Sequence, residues 1–398
     1  METTKFNQHF RFLSDRLDKH DMSEDNIIIL TLSGSKSYGT DHPLSDTDYK
    51  GVMIRPISQS LSPFETLEQI EWKSDVASGR VSEISGKIES DEEGTLLDIL
   101  KFVKLASNSN PNVLEILFTS QESLRIVSPE GAELIKNRHR FLSQRAAKTF
   151  AGYAASQLGR IKTHRAWIGK GNPQRPKRKD FGLPEEKMIS GEQLGAAYKL
   201  IDSGINMFAP WIVSVSNQTR EEFWRGVSSV VTVLTGDEGG WVETSEKFSE
   251  NYAKSIGFDS NFIKYLDMEK KYSKAKANYE QYNGWVKNRN PSRHELEAKY
   301  GYDCKHAMHL VRLIRMAEEL LTTGELNVYR RDREELLNIR NGSMTYEELI
   351  EWSEPKMKNL YEICTTGKCV IPPEPDIDFL SKLAVDLQVN FYKRVGEI

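Results

Sequence analysis

The chain has 398 residues, with 54 Lys and Arg against 58 Asp and Glu, for a net charge of −4. That balance excludes a protein that coats nucleic acid through overall charge and leaves room only for a local basic surface. Hydrophobic residues at 38% and charged residues at 28% fit a polar globular chain of two or three domains whose core helices must share.

Cys304, Cys364 and Cys369 are too few for a disulfide framework, which predicts a reducing, cytoplasmic setting. Cys364 and Cys369 lack nearby His or Cys residues to complete a zinc site and read as ordinary thiols. The start METTKFNQHF has no apolar run after a basic residue, so no signal peptide is expected. No stretch approaches the roughly 20 apolar residues that span a bilayer, so a soluble protein with no membrane partner is expected.

In chain order, residues 6–20 place Phe6, Phe10, Leu13 and Leu17 near helical spacing. NIIILTLSG is a β-branched apolar run that stops at Ser33-Gly34-Ser35, which predicts a buried strand. Residues 36–47 read as a loop or short helical turn, and TDYKGVMIRP as a second strand. EQIEWKS and GRVSEISGKIES read as further strands of a small mixed sheet. From Leu96 to Leu105 the spacing predicts a helix, which Asn110-Pro111-Asn112 interrupts before VLEILF resumes it.

Beyond about residue 120, helical patterns dominate: 144–169, 191–208, 219–234, 246–256, 260–283, 292–322, 331–339 and 345–363. A last helix is expected at 376–393, after the extended segment Pro372-Pro373-Glu374-Pro375. The expected fold class is α+β: a small mixed-sheet head over 1–120, then a mostly α-helical body over 121–398.

Asp46 and Asp48 are two residues apart, so in a strand they share a face, with Cα atoms about 6.6 Å apart. Like charges that close raise each other's pKa unless a cation lies between them. Mg²⁺, which prefers one or two carboxylates plus phosphate oxygens, would suit. An isolated Asp-x-Asp is more often a solvated edge strand. The glycine at position 34, about a dozen residues upstream of the acids, changes that balance. Gly34 lets a backbone approach a phosphate, Ser35 adds an N–H and a hydroxyl, and a helical turn starting there would favour anions.

The segment SGSKSYGTDHPLSDTDYKGV resembles the pattern of the DNA polymerase β nucleotidyltransferase superfamily. Its Tyr38-Gly39-Thr40 insertion and Asp-Tyr-Lys-Gly-Val ending resemble the RlaP-like group of predicted nucleotidyltransferases linked to RNA repair. KFVKLASNSNPNVLEILF at 101–118 resembles a helical segment of that group, as do YGYDCKHAMHLVRLIRMAEELLTTGEL and LLNIRNG within 300–342. The resemblance implies that Gly34 and Ser35 contact the triphosphate and that Asp46 and Asp48 bind metal, Mg²⁺ or Mn²⁺. It also implies a third carboxylate on a neighbouring strand. Glu93 is the first choice, with Asp91 next and Asp98 as outsider; an ordinary acidic loop is the competing reading. The mechanism implied is in-line transfer of a nucleoside monophosphate from an NTP, with two metal ions and release of pyrophosphate.

In KHAMHLVRLIRM, Lys305, His309 and Arg312 fall at i, i+4 and i+7 on one helix face, with Leu310, Leu313, Ile314 and Ala317 on an apolar side. Pattern alone suggests a solvated face; the resemblance makes them nucleotide contacts, with Tyr302 a candidate to stack on a base. Residues 160–187 concentrate Lys and Arg around Trp167 and Phe181, a composition suited to an RNA acceptor or simply to a solvated loop. Three functions follow: addition of a nucleotide to an RNA end, nucleotidylation of a protein or small molecule, or a non-catalytic RNA or nucleotide sensor. Intact Ser35, Asp46 and Asp48 argue against the third, and the basic cluster favours the first. The nucleotide and the oligomeric state are not legible.

Overall fold

The computed structural model describes residues 10–42, 45–65, 67–73, 92–170, 173–208, 253–254, 257–287 and 291–398. The strand expected within GRVSEISGKIES, the helix at 219–234 and nearly all of that at 246–256 lie outside the described residues, as does Asp91. Two compact units form, one from Met1–Gly169 with Asn290–Ile398 and the other from Lys170–Arg289. Residue 120 falls inside the first.

The first unit opens with helix α1 (Arg11–Asp18), whose Leu13 and Leu17, four apart, are fully buried. Burial of each contributes roughly 1.5–3 kcal/mol of transfer free energy. β1 (Ile27–Ser33) follows, then the short helix α2 (Gly34–Tyr38), β2 (Thr47–Met53), α3 (Ile57–Ser60), β3 (Gln69–Lys73) and β4 (Glu92–Asp98). α4 (Ile99–Ser107), α5 (Pro111–Leu117), β5 (Leu124–Val127), α6 (Pro129–Lys136) and the long α7 (Arg145–Lys170) complete the N-terminal part.

The strands form one five-stranded sheet in the order β3-β4-β2-β1-β5. β2 and β4 pair in parallel and the other neighbours are antiparallel, so the sheet is mixed as expected. Alternation splits β2 cleanly. Tyr49 and Met53 pack with Leu13, Leu17, Leu30 and Leu96 under α1, while Val52 joins Ile29, Leu97 and the helices on the other face. Asp48 and Lys50 share the parity of Val52, which aims them at the helical side.

The sequence reading ran the helix through Leu96, but Leu96–Asp98 belong to β4 and α4 starts at Ile99. Asp98 is the reason. Its Oδ1 accepts the Leu100 N–H at 3.0 Å as an N-cap, and its Oδ2 accepts Arg55 Nε–H at 2.9 Å in a buried ion pair. Both acceptor atoms are thereby used in anchoring, so Asp98 is not a third site carboxylate.

The chain re-enters the first unit with α10 (Pro291–Tyr300) and α11 (Cys304–Thr323), followed by α12 (Arg333–Arg340), α13 (Tyr346–Thr365) and α14 (Ile377–Val395). The single helix expected at 292–322 is therefore two. Gly301 sits at φ +75°, in the left-handed region that ends helices, and Asp303 caps the restart by accepting the His306 N–H at 3.1 Å. Tyr302, expected to stack on a base, is instead fully buried at this break and donates to Met344 O at 2.5 Å.

The second unit contains α8 (Gly191–Phe208) and α9 (Ser260–Lys287), with a small core of Leu183, Leu194, Ala197, Tyr265 and Leu266. Arg178 lies in this unit and donates to both oxygens of the buried Glu269, at 3.1 and 2.5 Å. Among the described residues no helix is long and apolar enough to cross a membrane.

Asp98→Ala removes a cap and leaves Arg55 buried without its partner. The substitution should cost roughly 3–5 kcal/mol in urea unfolding. An unchanged midpoint would remove its anchoring role.

Candidate active site

A cavity of about 990 Å³ opens in the first unit over the helical face of the sheet. Its sheet side includes Ser33, Gly34, Asp48, Lys50 and Glu93, and its helical side includes Gln157, Arg160, Lys305, His306, His309 and Arg312. Six of the eight residues singled out from sequence thus meet on one cavity: Gly34, Asp48, Glu93, Lys305, His309 and Arg312. The other two lie beside it. Ser35 is half-buried in α2, and Asp46 is exposed just before β2.

The register explains the carboxylate pairing. Asp48 on β2 is the direct parallel partner of Glu93 on β4, and in-register neighbours project to the same face. On its other side, Asp48 faces Ser33, the last residue of β1, in antiparallel register. Gly34 follows at φ +64°, and a Cβ there would collide with Asp48 Oδ2. Glycine is needed twice over: for the left-handed backbone and for the approach of the carboxylate. α2 then begins at Gly34.

Electrostatics single out Asp48. Burial raises its pKa, and the charges of Glu93 and Asp46 raise it further, against opposition from Lys50 and Lys305. Three carboxylates therefore crowd one place without full compensation from nearby lysines. That is the surplus a divalent cation relieves, and carboxylate oxygens are the donors that Mg²⁺ or Mn²⁺ prefers. Glu93 is half-exposed and pairs with Lys73 at 2.9 Å, so its oxygens remain reachable from solvent.

The helical wall has a different chemistry. Arg312 is buried, and its Nη1–H donates to Glu115 Oε1 at 2.7 Å. Tyr38 O–H donates to the other Glu115 oxygen at 2.7 Å, and the guanidinium lies 3.7 Å from the Tyr38 ring centroid. Burial by itself would lower the Arg312 pKa, but Tyr38 and Glu115 outweigh it and hold the group above its usual range. Arg312 thus lines the cavity while committed to Glu115 and Tyr38. His309 and Lys305, each half-buried, stand one and two turns before Arg312 on α11.

Lys50 was not singled out from sequence. Its Nζ–H donates to Asn112 O at 3.3 Å, and burial lowers its pKa, with Arg312 adding to the effect and Glu115 and Asp48 opposing it. Glu115, Asn112 and Tyr38 were likewise quoted in the recurring segments but given no role. Their presence there was the available signal. Of the aromatics in the basic segment, Trp167 is buried and stacks on His164, and Phe181 packs edge-on against Tyr272, so neither offers a bare stacking face.

A mixed sheet thus presents register-paired carboxylates beside a glycine-led helical turn. Residues 11–169 match the family model RlaP, described as the RNA repair pathway DNA polymerase beta family. The match bears out the resemblance to the RlaP-like group over that segment, and a DNA polymerase beta-type nucleotidyltransferase is the class it supports. No curated protein matches the chain.

The raised pKa of Asp48 has a consequence for stability. A carboxyl whose folded pKa exceeds its unfolded value, near 3.9, contributes stability present below that value and lost as pH rises through the folded pKa. Asp48→Asn should therefore raise the Tm of metal-free protein at neutral pH by a few degrees. The gain should shrink toward pH 4, where the wild-type carboxyl also carries its proton. A variant less stable than wild type at pH 7 would contradict this.

Proposed function

We propose that the cavity binds a nucleoside triphosphate and transfers its nucleoside monophosphate to the hydroxyl of an RNA end. The acceptor oxygen forms a bond to the α-phosphorus, the bond from that phosphorus to the bridging oxygen breaks, and pyrophosphate leaves with the electron pair. The acceptor's proton passes to a carboxylate or water. The observation that carries this reading is the in-register pair Asp48 and Glu93, with Asp46 close by, facing a wall that holds Lys305 and His309.

In this reading Asp46, Asp48 and Glu93 hold the divalent cation, Mg²⁺ or Mn²⁺. When bound, that ion neutralises charge on the attacking and leaving oxygens. Glu93, on the neighbouring strand, would help hold the ion on the side of the acceptor hydroxyl. Gly34 and Ser35 lie against the triphosphate with the first N–H groups of α2. Lys305 and His309 meet the β- and γ-phosphates, while Arg312 adds charge from behind them, held by Glu115. Fixing these groups before reaction supplies positioning without reorganisation, the main contribution a protein makes to phosphoryl transfer.

The head, residues 1–120, thus carries the chemistry, and the helical remainder supplies nucleotide and acceptor contacts. The RNA acceptor is supported by the family's printed association with RNA repair and by the basic segment 160–187. Arg175, Lys177 and Lys179 are exposed there, whereas Arg178 is committed to Glu269.

Purified protein, Mg²⁺, labelled NTPs and total RNA should yield labelled RNA. Asp48→Asn, Asp46→Asn and Glu93→Gln should each lower the rate by about 10²–10³-fold. Label appearing in protein and not in RNA would replace the acceptor with a polypeptide, and no label in either would leave a binding module. Reversing Arg175, Lys177 and Lys179 to Glu, with Arg178 kept, should weaken RNA binding and flatten its salt dependence. An unaltered salt slope would place the acceptor elsewhere.

A further inference from the structure

We infer that the first unit contains a second cation site, chemically distinct from the carboxylate site, formed by His164, Asp303 and His306 and suited to Zn²⁺. The ligating atoms of these three side chains all lie within 4.8 Å of one another. His164 projects from α7, Asp303 is the N-cap of α11, and His306 lies on its first turn. Asp303 is buried, the two imidazoles are about 15% exposed, and His164 Nδ1 itself is withdrawn from solvent, so the cluster is sheltered.

The distances favour a shared ion. His164 Nδ1 lies 3.5 Å and His306 Nε2 3.6 Å from the same atom, Asp303 Oδ2. A direct charge-assisted hydrogen bond would bring N and O to about 2.7–2.9 Å. Zinc–nitrogen and zinc–oxygen bonds of about 2.0–2.2 Å, placed tetrahedrally, separate ligand atoms by roughly 3.3–3.5 Å. The two observed spacings are closer to the second value than to the first, and the third pair lies within 4.8 Å.

The outer contacts point the same way. Asp303 Oδ1 accepts the His306 backbone N–H at 3.1 Å, and Oδ2 is the atom that faces both imidazoles. His306 Nδ1 lies 2.8 Å from Gln157 Oε1. With the amide oxygen accepting, Nδ1 carries a hydrogen, which makes Nε2, on the carboxylate side, the atom that would ligate. His164 is held in plane by Trp167, with ring centroids 5.4 Å apart and planes at 23°. A hydrogen bond to the second ring nitrogen, as Gln157 supplies to His306, is how metal-binding histidines are commonly oriented.

Two imidazoles and one carboxylate suit a borderline ion such as Zn²⁺, with water as the fourth ligand, better than Mg²⁺, which prefers oxygen donors. The ion would tie α7 to α11. Gln157 and Arg160 on α7, with Lys305 and His309 on α11, form the helical wall of the cavity, so the site would set that wall's spacing.

The test is Zn²⁺ binding to the full, chelator-stripped protein in excess Mg²⁺, followed by calorimetry and by metal analysis after dialysis. Wild type should bind a single tight Zn²⁺ and gain thermal stability. Asp303→Asn keeps the helix cap while removing the charged ligand, and His164→Gln leaves the cap untouched. Each should weaken Zn²⁺ by at least about 10–100-fold, the range that loss of an outer-shell partner alone produces. Asp48→Asn should bind Zn²⁺ like wild type. Co²⁺ in place of Zn²⁺ should give visible absorption of tetrahedral intensity that Asp303→Asn abolishes. Absence of tight Zn²⁺, binding unaffected by Asp303→Asn and His164→Gln, or binding lost in Asp48→Asn would each overturn the assignment.

Discussion

Glu115 is a carboxylate withdrawn from water, and the first unit is arranged around meeting its demand for partners. Tyr38 and Arg312 each supply one hydrogen bond at 2.7 Å, from residues 77 and 197 positions away in the chain. A buried charge without partners costs several kcal/mol, so α2, α5 and α11 are held to one mutual arrangement. The Tyr38 carbonyl also accepts the Arg330 N–H at 3.1 Å, which fastens the segment after α11 to the same turn. Moving α11 would strand Glu115, and moving Tyr38 would move Gly34 four residues before it.

Charge is laid out across the cavity according to the same frame. Acids sit on the sheet, where parallel pairing of β2 and β4 sets Asp48 beside Glu93. Bases sit on the helices, at Arg160, Lys305 and the committed Arg312. Lys50 stands between, on the sheet but bonded to the start of α5. Burial, and after it the neighbouring acids, raises the pKa of Asp48, and burial lowers that of Lys50, so both groups are less content in their charged forms than in water. Such tension is characteristic of sites built to receive charge from outside. A structural ion pair would have relaxed it, as Arg55 and Asp98 do in contact at the far end of β4.

The helical wall differs from the sheet in its donors. Its imidazoles and single carboxylate at the junction of α7 and α11 are softer than the oxygens on the strands. Donor chemistry would therefore keep the two proposed cations apart within one compact unit.

The sequence alone determined what depends on near neighbours. Apolar spacing located α7, α8, α13 and α14 to within a few residues, because helical periodicity is written in consecutive side chains. The strand, glycine turn and strand around Gly34 and Asp48 were legible for the same reason, as was the shared face of Lys305, His309 and Arg312. What failed locally was stopped by a cap: Asp98 ends β4 and starts α4, and Gly301 with Asp303 divides 292–322, since one polar side chain can override a periodic pattern. The remainder belonged to the tertiary structure. Register between β2 and β4 chose Glu93 as the neighbour of Asp48, burial removed Tyr302 from the surface, and Arg312 was drawn to Glu115. His164 came to face Asp303 and His306 only when two helices packed. Contacts between residues from about 40 to about 200 positions apart leave no period in the chain, so only the folded molecule could decide them.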